Sequence, residues 1–490
     1  MRRSEFWLAF TVLVAAAYFH GGASWNQNAR LDAIFNFVEP GPERWTFRID
    51  RFLPEPAEGI NTGDWSLSGG HYYANKAPGT LLLGVTVYLP VYALEAALGA
   101  DVNSPPLANF NAYLINLWVS VLPLCAALAV WSRWLSQQVR PTRAMELPLL
   151  AFFGTALFPY ATQLWGHTTS AAFVLLSLCA FQGAREGKKS AALATGVCSG
   201  LGVLCDFLAL PATLGIAAAL ILSRPRLVPW LIAGAAGPLL SLLGYQWYCF
   251  GNPLQLPTEG TNGEFLEQQR WLGMFGSLSG EALFQLTFGQ YRGLFLQMPL
   301  LIAAPLGGLR WWRKAPRDPS FWICALGFLA TLLWVASFNG WHGGASVCAR
   351  YLIVAIPLLI WALVELIDDR EMRHLLGVLG LISAFNMLAV AAVSPLADAR
   401  SYNPLFQESY RGLWSGALHP YPLPIRLQEL DPEFPHHASG NAWSWGELLG
   451  LGGVARLIPW LALVALGITL SYRAARSEEE NALPVKHRAI

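Results

Sequence analysis

The 490-residue chain is 54% hydrophobic and 13% charged, with a mean hydropathy of +0.40, against about 25% charged residues in a soluble domain. That excludes an ordinary soluble domain and fits an all-α polytopic membrane protein. A net charge of +1 leaves no basic footprint for a nucleic-acid partner, and seven cysteines with no CxxC pair indicate neither a disulfide framework nor a zinc site.

Arg2 and Arg3 precede an apolar run over 6–23. The run has the outline of a signal peptide, but the many later spans favour an uncleaved first helix with its N-terminus inside. Further apolar windows near the spanning length of about 20 residues fall at 80–98, 109–131, 147–163, 167–184, 190–222, 228–249, 294–309, 319–337, 351–367, 374–393 and 448–471. If 80–98 crossed the membrane, every later basic loop would lie outside, against the positive-inside rule. The window is therefore expected to lie along, or dip into, the outer leaflet. The 190–222 run has basic residues at both ends, so it must be a hairpin of two short helices broken near Asp206 to Pro211.

This gives about twelve spans with both termini inside. A single membrane domain covers 1–472, with long outer segments at 22–108, 250–293 and 394–447, and a cytoplasmic tail over 473–490 reads as disordered. Long outer loops on short inner ones place function outside.

In the first outer segment Leu31, Ile34, Phe35 and Val38 follow the i, i+3, i+4, i+7 spacing of an amphipathic helix ended by Pro40-Gly41. Its apolar stripe is expected to rest on the membrane surface. Asn28, Asp32 and Asn36 share another face. Asp32 is a possible base or a plain surface carboxylate beside Arg30. Asn61-Thr62-Gly63-Asp64 reads as a turn, where Asp64 could cap, bind a cation or orient a hydroxyl. Lys76, before Ala77-Pro78-Gly79, sits at headgroup height, as a snorkelling lysine or as a phosphate ligand.

Trp165-Gly166-His167 caps a short outer turn. His342-Gly343-Gly344 through Arg350 forms a compact loop whose glycines let backbone approach a ligand, and Arg292 lies at a similar depth. Either arginine alone reads as an interfacial anchor. Two arginines and a lysine at one depth point to an anionic lipid. His419, His436 and His437 match no metal spacing. The span interiors hold almost no ionisable groups, unlike those of ion-coupled transporters.

At these residues the chain resembles the C-type (GT-C) integral-membrane glycosyltransferases, in the branch of protein O-mannosyltransferases and lipid A aminoarabinose transferases. The matching stretches are Asn28-Ala-Arg-Leu-Asp32, Thr62-Gly-Asp64, Gly70-His-Tyr-Tyr73, Lys76-Ala-Pro-Gly79, Gly343-Gly344, Arg350-Tyr351-Leu352 and Gly446-Glu-Leu-Leu-Gly450.

The resemblance implies a large first extracytoplasmic loop carrying surface helices, a polyprenyl-phosphate sugar donor, and an acidic base in that loop, for which Asp32 matches best. It implies a protein, lipid or glycan acceptor without choosing among them. Members often carry two adjacent acids here, where this chain has Leu31-Asp32-Ala33, so a divalent metal is left open and no cofactor is certain. The expected reaction is a single inverting displacement at the outer face of a bacterial plasma membrane. Asp32 is the base, Lys76, Arg350 and Arg292 hold the phosphate, and Asn28, Asp64, Tyr73, His342 and His167 orient sugar or acceptor. A lipid or solute transporter and a non-catalytic assembly protein of the same fold are the alternatives.

Overall fold

A computed structural model describes residues 2–53, 61–263, 276–417 and 441–486. Helices dominate. Six of those described are long and apolar enough to cross a membrane, namely Gly79–Ala97, Pro105–Leu135, Pro225–Phe250, Pro319–Ala336, Arg370–Val393 and Gly453–Asn481. The chain is an integral membrane protein.

The basic loops share one face. Arg133 pairs with Glu5 at 2.6 Å, Arg140 with Glu479 at 3.7 Å, Arg185 with Asp318 at 2.9 Å, Arg310 with Asp369 at 3.0 Å, Lys314 with Glu365 at 3.1 Å, and Arg143 with Asp368. Every pair joins two segments that the charge rule assigns to the inside. Apart from Arg133 on the buried Glu5, partly or largely exposed pairs of this kind each stabilise by about 0–1 kcal/mol, so the belt says more about sidedness than about stability.

Helix α1 (Arg3–Ala17) leads into α2 (Trp25–Val38), and α3 (Gly79–Ala97) into α4 (Pro105–Asn116). A π-turn over Leu117–Val121 joins α4 to α5 (Leu122–Leu135), and α6 is Pro141–Phe153. Asn116 donates to the Ala161 carbonyl and Ser120 to that of Gln163, which levels the π-turn with the outer 161–165 turn. Helix α3 runs beside the outward half of α4, with Thr86 bonded to Trp118 and Glu95 to Asn111. Although α3 has the length and composition of a span, this register keeps it on the side away from the basic belt.

A short outer-turn helix, α7 (Leu157–Tyr160), follows, and then the long α8 (Gly166–Arg185). The 190–222 window is broken as its charges require. Helix α9 (Lys189–Cys205) stops at Asp206, whose backbone is extended, and α10 (Leu210–Ser223) returns. The far ends meet where Arg224 donates to the Arg185 carbonyl at 2.9 Å. Helix α11 is Val228–Phe250.

Two expectations are corrected. The apolar stripe of α2 does not lie on the membrane surface, because Leu31, Ile34, Phe35 and Val38 are all at 0% exposure. They form a separate outer core with Leu81 and Tyr88 of α3, Ala112 and Ile115 of α4, and Tyr245 and Phe250 of α11. The first outer loop thus carries a buried helix rather than a surface one. The tail is not structureless through its described part: the last helix runs on to Lys486, where Ser4 donates to Glu478 and Thr142 to Glu479. His419, His436 and His437 lie outside the described residues.

Two small sheets decorate the outer face. Strand β1 (Phe19–His20) pairs antiparallel with β4 (Trp443–Ser444). Strand β2 (Trp65–Ser68) pairs antiparallel with β3 (His71–Ala74), from Trp65↔Ala74 to Ser68↔His71.

Candidate functional site

The β2–β3 hairpin builds one wall. Its two-residue turn is Gly69-Gly70 with φ of +58° and +82°, the doubly positive geometry of the tightest hairpins. The register therefore sets Asp64 beside Asn75 and Lys76, and Asn75 N donates to the Asp64 carbonyl at 3.2 Å. The Lys76 Nζ lies 3.0 Å from Asp64 Oδ1. Gly63 serves a close approach and not an unusual dihedral: a Cβ there would lie 2.6 Å from the Trp25 ring. Thr62 donates to the Trp25 carbonyl and accepts from Asp64 N, tying the turn to α2.

Helix α2 supplies the next wall. Ser24 caps it by accepting from Gln27 N, and Trp165 Nε1 donates to the same hydroxyl at 3.1 Å. Asn26 and Arg30 stand one turn apart. Arg30 donates to the Asn26 carbonyl at 2.6 Å and to Thr80 Oγ1 at 2.8 Å.

The opposite wall is the 340–351 loop. Gly343 and Gly344 both have positive φ, which turns the chain tightly above Arg350. The Arg350 guanidinium lies 4.6 Å from the Trp165 ring centroid and donates to Tyr351 Oη at 3.3 Å. Its Nε is buried without a hydrogen-bond partner, as is Asn75 Oδ1.

Between these walls lies a cavity of about 670 Å³, lined among others by Asn26, Asp64, Asn75, Lys76, His342 and Arg350. A smaller apolar annexe of about 140 Å³ shares Asn26, Asn75, Lys76 and Tyr351 with it and is closed by Arg30, His167, Asp206, Leu208 and Trp334. A wider outer groove of about 750 Å³ meets the cavity at Leu396, Asp398 and Arg400.

Burial holds Lys76 down to about 8; Asp64 opposes this and Arg30 and Arg350 add to it. Burial likewise holds Arg30 down to about 10, with Asp64 and Asp206 opposing. Burial, with Arg292 and Arg350, pushes His342 down to about 4, so it is neutral at pH 7. Its Nδ1 accepts from Gly344 N at 3.0 Å, which leaves the proton on Nε2 as a donor.

The sequence-predicted residues divide in two. Asp64, Lys76, His342 and Arg350 line the main cavity, and His167 lines the annexe. Asp32 lines neither; it is at 0% exposure and accepts from Asn61 Nδ2 at 2.7 Å. Asn28 donates to the Asn61 carbonyl and Oδ1, on the same inner side. Tyr73 packs edge-on against Phe250 in the outer core. Arg292, at 0% exposure, donates to the carbonyls of His342 and Gly344, each at 2.7 Å, and of Tyr291. It clamps the loop from behind and does not face the cavity.

Sequence reading passed over Asn26, Arg30, Asn75, Trp165 and Asp206 as site residues. The one signal for Asn75 was the Gly-Gly hairpin, whose register sets it opposite Asp64.

A divalent metal does not fit these walls. The Asp64 carboxylate already holds a lysine, and no group of three suitably spaced ligands lines the cavity among the described residues. The cluster that has such spacing, Glu43, Asp50 and His71, lies outside the cavity, and Arg48 pairs with its Glu43 at 2.8 Å.

No family model matches the chain, and no curated protein matches it. Among solved structures it is similar to the Archaeoglobus fulgidus oligosaccharyltransferase in the apo form, with 14% identity and a TM-score of 0.45. The match covers 87% of this chain and 61% of that one, so the chain spans less than two thirds of that enzyme's length.

Proposed function

We propose that the chain is a membrane glycosyltransferase. It moves a sugar from a polyprenyl-phosphate donor to an acceptor hydroxyl on the face away from the basic belt, the periplasmic side of a bacterial plasma membrane. The observation that carries this reading is the cavity itself, where Lys76, Arg350 and the Asp64 carboxylate meet above an apolar annexe. Arg30, Lys76 and Arg350, with Arg292 in reach behind the loop, outnumber Asp64 and Asp206 and leave an excess of positive charge. A phosphodiester carries one negative charge and would reduce it. The annexe, floored by Leu208, Trp334 and Val335, suits the first carbons of a prenyl chain, and the outer groove suits an arriving acceptor.

Asp64, and not Asp32, is the base in this reading: Asp64 lies on the cavity wall beside Lys76, Asp32 lines no cavity, and the other carboxylate on the wall, Asp398, stands at the outer groove paired with Arg400. The acceptor hydroxyl attacks the anomeric carbon in line with the departing phosphate, which inverts the configuration, and Asp64 takes its proton. A positioned base contributes about 10²–10⁴-fold. Lys76 shifts from Asp64 to the phosphate as negative charge develops, with Arg350 Nε as a second donor in a water-poor site. His342 Nε2–H orients a sugar hydroxyl. Asn28, Asp32 and Asn61 hold the Asp64 turn, and Arg292 holds the Arg350 loop.

The test is a membrane preparation of the full chain incubated with radiolabelled polyprenyl-phosphate sugars. Label should leave the lipid fraction with wild type and stay with Asp64→Asn. Wild-type membranes that turn over no such donor would overturn the reading.

A further inference from the structure

The annexe holds a buried imidazole for which the displacement above has no task. His167 stands in the first turn of α8, and its Nδ1 lies 2.5 Å from Asp206 Oδ2 at the α9–α10 break. Asp206 is itself fixed, since its Oδ1 accepts from Leu208 N at 3.0 Å. Two glycines permit the approach. A Cβ on Gly166 would lie 2.2 Å from the Cys205 carbonyl oxygen, and one on Gly79 would lie 2.7 Å from Cys205 N. The His167 side chain lines the annexe at 6% exposure, and its Nε2 has no hydrogen-bond partner. A buried ring nitrogen left unbonded is unfavourable and calls for a partner from outside the chain.

The surroundings narrow what that partner is. Asp206 accepts at Nδ1, so Nδ1 carries a proton in either charge state, and Nε2 is a lone pair or a second N–H. Arg30, Lys76 and Arg350 approach the ring from α2, the β2–β3 hairpin and the 340–351 loop; Cys205 adjoins from α9 and the Tyr351 ring stands edge-on at 5.4 Å. Burial opposes an imidazolium, as do Arg350 and Arg30, and the Asp206 carboxylate favours it. A phosphate held on Lys76, where the cavity opens into the annexe, shifts that balance towards the protonated ring.

We propose that His167, held by Asp206, is the acid that protonates the departing phosphate. This rests on the donor reading above. The acceptor oxygen bonds to the anomeric carbon and its proton goes to Asp64. The bond between the anomeric carbon and the phosphate oxygen breaks, and its electron pair stays on that oxygen. His167 gives the oxygen its Nε2 proton. The ring is left neutral with Nδ1–H on Asp206, and the product leaves as a singly charged phosphomonoester. Asp64 then loses a proton to solvent and His167 regains one, so the cycle consumes none.

The test reads proton uptake. Purified full-length chain in detergent is titrated with farnesyl methyl phosphate, a phosphodiester with no titratable group near pH 7. Calorimetry in two buffers of different ionisation enthalpy gives the protons taken up. Wild type should take up about one proton per ligand at pH 7, and His167→Gln and Asp206→Asn about none. Lys76, held at about 8, is already charged at pH 7 and adds about a tenth of a proton. Binding by wild type without uptake, or uptake that persists in His167→Gln, would overturn the assignment and leave the donor reading standing. No binding by wild type would overturn both. Wild type without uptake decides against the assignment even if a variant fails to fold, and His167→Asn replaces His167→Gln if that variant does not fold.

Discussion

The two carboxylates of the first outer segment give the sharpest test, because substitution by asparagine should separate them in kind. Asp64→Asn removes the base while keeping the shape. The rate should fall about 10²–10⁴-fold, or roughly 3–5 kcal/mol in the barrier. Donor affinity should not fall, because Lys76 loses the carboxylate 3.0 Å away that competes with the phosphate. The cost appears in the empty protein. Removing one partner of a buried pair costs about 3–5 kcal/mol, trimmed here because Lys76 keeps 19% of its side chain exposed, and Asp64→Asn/Lys76→Met should recover part of it. Asp32→Asn behaves differently. It weakens the bond from Asn61 at 2.7 Å and costs about 1–3 kcal/mol of stability, but the folded fraction should keep its turnover number. The assay is label transfer under saturating donor, normalised to folded protein by size exclusion, with thermal denaturation alongside. Wild-type turnover by Asp64→Asn together with a well-folded, inactive Asp32→Asn would refute the reasoning and return the base to Asp32.

Arg292→Met should lower the melting temperature, because two charge-assisted bonds to the His342 and Gly344 carbonyls are each worth about 1.5–3 kcal/mol. A raised KM with an unchanged melting temperature would make Arg292 a phosphate ligand instead. Lys76 sets a pH limit on turnover: held at about 8 by burial, it should lose its charge and its grip on phosphate as pH rises through that value, and a rate constant across pH 8 would contradict this. For folding the sign runs the other way. Between about 8 and the unfolded value of 10.5 the unfolded chain binds more protons at this residue, so Lys76's contribution to stability should rise with pH there, as wild type against Lys76→Met can show by denaturation. Gly63→Ala places a Cβ 2.6 Å from the Trp25 ring and should destabilise by about 1–3 kcal/mol; a melting temperature equal to wild type would mean that the ring yields freely.

What the sequence disclosed was set by local rules. The break at Asp206 and the return of α10 follow from basic residues at both ends of one apolar run, and the Arg224–Arg185 bond is where those ends meet. The outward placement of α3 follows from the same charge rule. The burial of α2 does not follow from its spacing, because an apolar stripe looks the same against lipid as against another helix, and only α3 and α4 reveal which it meets. The base role of Asp32 came from the resemblance, while the shared face of Asn28, Asp32 and Asn36 left it either a base or a surface carboxylate. Asn28 and Asp32 turn inward to Asn61, and the cavity borders Asn26 and its annexe Arg30 instead. The His167–Asp206 pair was hidden because Asp206 read only as the place where a span stops.

The pairing of β1 with β4 bears on when the protein becomes competent during synthesis. Phe19 and His20 lie between α1 and the Ser24 cap, and their strand partners are Ser444 and Trp443. Tyr18 donates to the Arg456 carbonyl, and Trp460 Nε1 donates to that of Ala15. The segment that feeds α2 into the cavity thus rests on residues the ribosome makes more than four hundred positions later. A nascent chain that stops short of Trp443 lacks the partner strand of β1, so under the proposed function it should bind no lipid-linked donor.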